Sequence, residues 1–177
     1  MKHKMLYSIS RCGLFAAIIC ICAFINFPVG YVPVSMALLG VMLTGIILSP
    51  FEAFASSFVY ILIGAIGLPV FSGASAGFGV LFGATGGYIW SYPIAAFIIS
   101  LMRLIKIKNK ISEYSFALSG CVLGVLACYI CGTLQYMYVC ETSFYTAIIT
   151  CIVPFIFFDI LKIAIVCSIG VPLKKRI

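Results

Sequence analysis

Charge is scarce in this chain. Of its 177 residues, 11 are Lys or Arg and 4 are Asp or Glu, 8% together, where a soluble domain carries about 25%. Hydrophobic residues make up 64%. So few ionisable side chains could not cover a core that apolar and keep it in water, which excludes a soluble enzyme, a nucleic-acid binder and a disordered linker. The only histidine is His3. No Lys or Arg occurs between Arg11 and Arg103, so the glycine-rich middle of the chain contains no phosphate-cradling G-x-x-x-x-G-K-[ST] loop, and the dinucleotide fingerprint is missing too. Without an ATP motif the chain cannot itself energise uphill transport. No nucleophile–base–orienter set and no carboxylate pair within an apolar run is present, so there is no catalytic constellation and an enzyme is not expected. What remains is a small all-α membrane protein, one domain over residues 1–177.

Cysteine, by contrast, is plentiful, with nine in the chain. Cys20, Cys22, Cys121, Cys128, Cys131, Cys151 and Cys167 lie inside apolar runs, where cysteine behaves as a small hydrophobe. Cys128-Tyr129-Ile130-Cys131 has the C-x-x-C spacing of redox and zinc sites, but no second pair or neighbouring histidine accompanies it. No metal or cofactor is expected, and the odd count argues against complete disulfide pairing. Lys2 and Lys4 ahead of the apolar run 12–27 give the N-terminus the look of a signal peptide. No A-x-A-like cleavage site follows, so an uncleaved first membrane helix is the expectation.

A helix crossing a bilayer needs about 20 mostly apolar residues. From Cys12 to Met102 the only charged side chain is Glu52, and breaks at Pro28–Pro33, Ser49-Pro50 and Gly67-Leu68-Pro69 divide that stretch into runs 12–27, 34–49, 51–68 and about 80–102. The polar Glu141-Thr142-Ser143 divides a second stretch into 115–139 and about 144–171, for six spans in all. The basic residues cluster at Lys2, Lys4 and Arg11, at Arg103, Lys106, Lys108 and Lys110, and at Lys174, Lys175 and Arg176. Short loops rich in Lys and Arg stay in the cytoplasm, and four spans followed by two put all three clusters there. Both termini are then cytoplasmic, while the breaks at 28–33, 69–79 and 140–143 face outward. Binding of a phosphate-rich ligand by the basic loops is the rival reading, but topology alone accounts for them. Gly120, Gly124, Cys128 and Gly132 put a small residue at every fourth position of the fifth span, the spacing that lets helix backbones approach closely. Ser8, Cys12, Ala16 and Cys20 repeat it on the first, where packing within the fold and against another subunit are equally open.

The ionisable residues within spans are Asp159 and Lys162. A charge near the bilayer centre costs at least ~2.5 kcal/mol, so such residues mark cavities and partners. Their i, i+3 spacing puts both on one helix face. A salt bridge that merely fixes packing is the plain alternative; a self-satisfied pair has little thermodynamic reason to persist in lipid. Pro154 favours a restart of the last span near Phe155, and broken helices recur at transporter ligand sites. A carboxylate that accepts and an ammonium that donates suit a small neutral ligand offering both functions, such as a cyclic urea or amide. The outward segment 67–79, followed by Gly83-Ala84-Thr85-Gly86-Gly87-Tyr88, reads as a loop that folds over an uncharged body, with Phe71, Phe78, Tyr88 and Trp90 as walls; a lipid-side hairpin is its rival.

Gly64-Ala65-Ile66-Gly67-Leu68-Pro69-Val70-Phe71-Ser72-Gly73, Gly83-Ala84-Thr85-Gly86-Gly87-Tyr88, and Pro154 with Asp159-Ile160-Leu161-Lys162 resemble the BioY family, the biotin-binding S components of energy-coupling-factor (ECF) transporters. Pro28-Val29-Gly30-Tyr31-Val32-Pro33-Val34 matches as well, so the resemblance runs from about residue 8 to 172. It implies a six-helix S component of the bacterial plasma membrane that captures biotin from outside, alongside a transmembrane coupling subunit and two cytoplasmic ABC-type ATPases. It implies that Asp159 and Lys162 contact the ligand, that Gly86, Gly87 and Tyr88 line the pocket, and that the loop carrying Phe71 and Gly73 covers it. By the same similarity Cys12, Ala16 and Cys20 present an A-x-x-x-A-like face to the coupling subunit, with Cys in place of the second Ala. Three positions depart from the family's habit: Ala37 stands for a glutamine, Ser75 for a basic residue or glycine, and Ala84 for a proline. Ser75 leaves the ligand's carboxylate to backbone N–H groups or to the hydroxyls of Ser72, Ser75 and Thr85. The residues leave open an S component for thiamine or riboflavin, and a structural subunit that transports nothing.

Overall fold

The computed structural model describes residues 2–27, 34–105 and 110–174. The expected break at Pro28–Pro33 and the basic residues Lys106, Lys108, Lys175 and Arg176 lie outside the described residues. Among the described residues there are eight α-helices: α1 (Lys2–Phe24), α2 (Ala37–Ile47), α3 (Pro50–Ala65), α4 (Phe78–Leu81), α5 (Gly86–Arg103), α6 (Lys110–Cys140), α7 (Phe144–Cys151) and α8 (Val153–Lys174). Two short antiparallel strands, β1 (Asn26–Phe27) and β2 (Val34–Ser35), pair Asn26 with Ser35 and Phe27 with Val34.

The apolar runs map onto these helices with three adjustments. The first helix starts at Lys2 rather than Cys12 because its opening turns find polar partners on α3: the Ser8 hydroxyl donates to Glu52 Oε1 at 2.6 Å and Arg11 lies 3.7 Å from Glu52 Oε2. The run 80–102 is interrupted at 82–85, between α4 and α5. The run 144–171 breaks at Ile152, so the restart comes at Val153, with Pro154 in the first turn of α8 where its missing N–H is harmless. The helices spanning Met5–Phe24, Ser112–Cys140 and Val153–Lys174 are long and apolar enough to cross a membrane, and α2 and α3 are shorter apolar helices. Between those two, Ser49 precedes Pro50, and its N–H and hydroxyl both donate to Glu52 Oε2, at 3.2 and 2.8 Å. This arrangement satisfies the start of α3 from its own sequence.

Helix α5 is the hub, packed most extensively on α6 and also on α3 and α2. Its contact with α6 runs along the small-residue row: Gly120 and Gly124 lie against Ile99, and Gly132 lies against the Tyr88 ring. The row therefore serves packing within this chain. Helix α1 covers α2 and α3, while α8 leans on α2 and α6. The Ser100 hydroxyl donates to the Leu48 carbonyl at 2.6 Å, joining α5 to the end of α2.

The row expected to face a coupling subunit points the other way. Ala16 is 1% exposed, Cys20 packs partly buried on the core, and the Cys12 thiol meets the Glu52 carbonyl at 3.6 Å. The cause is helical phase: Phe15, Ile19 and Ala23 carry α1's buried stripe, and positions 12, 16 and 20 share that stripe at i, i+4 spacing. The face of α1 turned outward carries Gly13, Leu14, Ala17 and Ile21. At one end of the bundle Arg11 reaches Glu52, Arg103 Nη1 donates to the Glu113 carbonyl at 3.2 Å, and the charges of Arg103 and Arg11 are both felt at Lys174. One described residue from each basic cluster thus gathers at that end.

Candidate functional site

Away from the basic end, a cavity of about 130 Å³ opens between α2, α3, α5, α6 and α8. Asp159 and Lys162, one turn apart on α8, reach it almost fully buried, at 3% and 2% exposure. Lys162 Nζ donates to Asp159 Oδ1 at 2.9 Å, and the Tyr129 hydroxyl of α6 donates to Oδ2 at 2.6 Å. Tyr129 and Asp159 also border a second, mostly apolar hollow between α6, α7 and α8, lined by residues such as Leu126, Ile130, Ile156 and Ile160. A charge pair so placed gains little over apolar packing. Its unused capacity is chemical: the ammonium keeps two hydrogens and each carboxylate oxygen a further lone pair, and both groups face the cavity. A ligand carrying a carbonyl beside N–H groups completes that set.

Tyr88 lines the cavity from α5 and stacks on Phe155 of α8, ring centres 6.2 Å apart. Its hydroxyl donates to the Cys151 carbonyl at 2.7 Å. That carbonyl is available because the Phe155 N–H bonds the Ile152 carbonyl instead, at 3.0 Å. The break in the last span and the wall of the cavity are thus joined through one tyrosine.

The segment 67–77 forms a lid. The Gly77 N–H donates to the Gly64 carbonyl at 2.8 Å to close its base, and the Phe71 N–H donates to the Ser75 carbonyl at 3.0 Å to close its tip. Gly73 and Gly77 have φ of +71° and +88°, which glycine adopts without a side-chain clash. Ser72, Ser75 and Thr85 line the cavity. The Ser75 hydroxyl donates to the Ser72 carbonyl at 2.8 Å, whereas the Ser72 Oγ is buried and has no partner among the described residues.

Not every residue expected in the wall lies there. Phe71 is fully buried beneath the lid, edge-on to Tyr60 at 5.6 Å and in the space a side chain at Gly64 would fill, so it anchors the lid. Gly73 is exposed at the tip. Gly86 and Gly87 are buried away from the cavity lining, where a Cβ would overlap the Leu81 and Cys131 carbonyls. They let α5 lie on its neighbours and thereby set the position of Tyr88. Phe78 and Trp90 stand outside, Trp90 Nε1 donating to the Leu81 carbonyl at 3.2 Å. Ala37, where the family's habit is glutamine, lines the cavity.

Sequence reasoning missed Tyr60, Tyr92, Tyr129 and Gln135. Tyr92 lies one turn after Tyr88, and Tyr129 nearly one turn before Gly132; both spacings were readable once Tyr88 was placed. Gln135 Nε2 donates to the Leu81 and Gly83 carbonyls, both at 2.8 Å, and so fixes the corner between α4 and α5. No local signal announces that bond, because its partners are more than 50 residues away.

The profile of the BioY family matches residues 1–177. The chain is 34% identical over 177 residues to biotin transporter BioY2 of Lactococcus lactis subsp. cremoris, covering 100% of this chain and 95% of that one. It is 32% identical over 170 residues to biotin transporter BioY of Thermotoga maritima, covering 93% and 94%. Its fold matches the crystal structure of the S-component for biotin from an ECF-type ABC transporter, with a TM-score of 0.86 at 24% identity over 99% of this chain and 94% of that chain.

Proposed function

The chain belongs to the BioY family, and on that premise we propose that it is an S component that captures biotin for ATP-driven uptake. It is a transporter component and not an enzyme. The observation that carries the ligand assignment is the buried Asp159–Lys162 pair, held by Tyr129 beside a lidded cavity. In this reading the ureido carbonyl of biotin accepts from Lys162 and a ureido N–H donates to Asp159. Tyr88 and Phe155 flank the bicyclic body, and the segment 67–77 closes over it. Phe71, Gly73, Gly86 and Gly87 act by shaping lid and wall.

The single domain 1–177 crosses the bacterial plasma membrane six times, with both termini in the cytoplasm. Helices α1, α2, α3, α5, α6 and α8 make the crossings, and α4 and α7 cap them on the outer side. The gathering of Arg11, Arg103 and Lys174 at one end supports this orientation. A transmembrane coupling subunit and two ABC-type ATPases complete the transporter. The coupling subunit docks on the outward face of α1, at Gly13 and Ala17.

The test is titration of the purified, detergent-solubilised protein with biotin, thiamine and riboflavin. Biotin alone raises the melting temperature, since only a ligand of the folded state stabilises it. Asp159→Ala abolishes that shift while leaving a folded helical protein. A thiamine or riboflavin response would reassign the substrate, and no response to any of them would leave a structural subunit.

A further inference from the structure

The cavity can offer a ligand no net charge. Asp159 and Lys162 are committed to each other across 2.9 Å, and every other residue lining the cavity is neutral, its remaining hydroxyls coming from Ser35, Ser72, Ser75, Thr85 and tyrosines. Among the described residues no other cation lines the cavity. No Lys, Arg or His lies between Arg11 and Arg103, or between Lys110 and Lys162. Arg11 is fixed at Glu52, at the opposite end of α3 from the lid, and Arg103 ends the helix whose start borders the cavity. Each is separated from the lid by about 25 Å of helix.

At the start of α5, two of the N–H groups that an anion would use are already taken. The Gly86 N–H already bonds the Gly83 carbonyl at 3.1 Å, and the Tyr88 N–H bonds the Thr85 carbonyl at 3.2 Å. What the lid does supply is Ser72, a lining residue whose Oγ is buried and has no partner among the described residues. A hydroxyl donates to a carboxylate and accepts from an amide N–H with equal ease. With no cation beside it, a carboxylate gains nothing over a neutral amide from this lining, and a site built to select the carboxylate would place a cation at the tail.

Building on the biotin reading above, we propose that this binder reads the bicyclic urea and is indifferent to the charge of the tail: the free acid and neutral tail amides are both ligands, and Ser72 is the tail's polar contact. The bicyclic end accounts for selectivity, through Asp159, Lys162 and Tyr129.

The deciding experiment titrates the full chain in detergent with biotin and with its primary amide. The amide is expected to bind within tenfold of the acid. Ser72→Ala weakens both by a similar factor, and Ser75→Lys, which puts an ammonium into the lid, moves the ratio at least tenfold toward the acid. An amide more than tenfold weaker than the acid in the unaltered chain overturns the proposal. If neither compound binds, the biotin reading itself falls and takes the proposal with it, an outcome distinct from selective loss of the amide.

Discussion

The Tyr129 hydroxyl lies 2.6 Å from Asp159 Oδ2, while Lys162 occupies Oδ1. The carboxylate is therefore clamped from two helices, and its orientation depends on α6 as much as on α8. Tyr129→Phe removes a hydrogen bond to a charged group, worth about 1.5–3 kcal/mol. That loss should appear as a drop in folding stability of the same size, and biotin affinity should fall at least tenfold because the carboxylate loses its second clamp. Calorimetric titration and a melting curve check both.

Removing one partner of the ion pair strands the other. Lys162→Met should destabilise by about 3–5 kcal/mol, whereas the double change Asp159→Leu with Lys162→Met should come within about 1–2 kcal/mol of the unaltered protein. Neither variant binds biotin. Denaturant unfolding in parallel with a binding assay separates the two effects, and a pair kept only for packing would show no ligand to lose.

These side chains also show what could be read from residues alone. The positions of Asp159 and Lys162 followed from the cost of charge in lipid, and the helices from runs of apolar residues broken at Ser49-Pro50 and Glu141-Thr142-Ser143. Helical phase was harder. Ala16 and Ala17 are equally small, and only the burial of Phe15 and Ile19 decides which of them faces outward. Gly86 and Gly87 read as pocket lining, yet they lie against neighbouring carbonyls. A glycine's role depends on which backbone it meets, and that is a property of the fold.

The lid rests on Phe71 seated over Gly64. Gly64→Ala forces a methyl into the Phe71 ring, an overpacking change of about 1–3 kcal/mol. The lid should lift, and biotin should dissociate at least tenfold faster in a stopped-flow chase. Gly13→Ala, where a new methyl meets nothing within 4 Å, serves as the control and leaves dissociation unchanged.

The two faces of α1 give opposite outcomes. Ala17→Phe, on the outward side, should leave biotin titration intact and abolish co-purification with the coupling subunit and ATPases. Ala16→Phe, on the buried side, should lower the melting temperature through overpacking. Pull-down and thermal unfolding of the two variants distinguish them.

The bond from Gln135 to the Leu81 and Gly83 carbonyls has a kinetic meaning. It rivets the corner after the lid to a long helix, so the hinge for entry and escape is confined to the dozen or so positions upstream of it. On the biotin reading proposed above, the dwell time of a captured molecule is set by that short flap, and the rest of the bundle need not move with it.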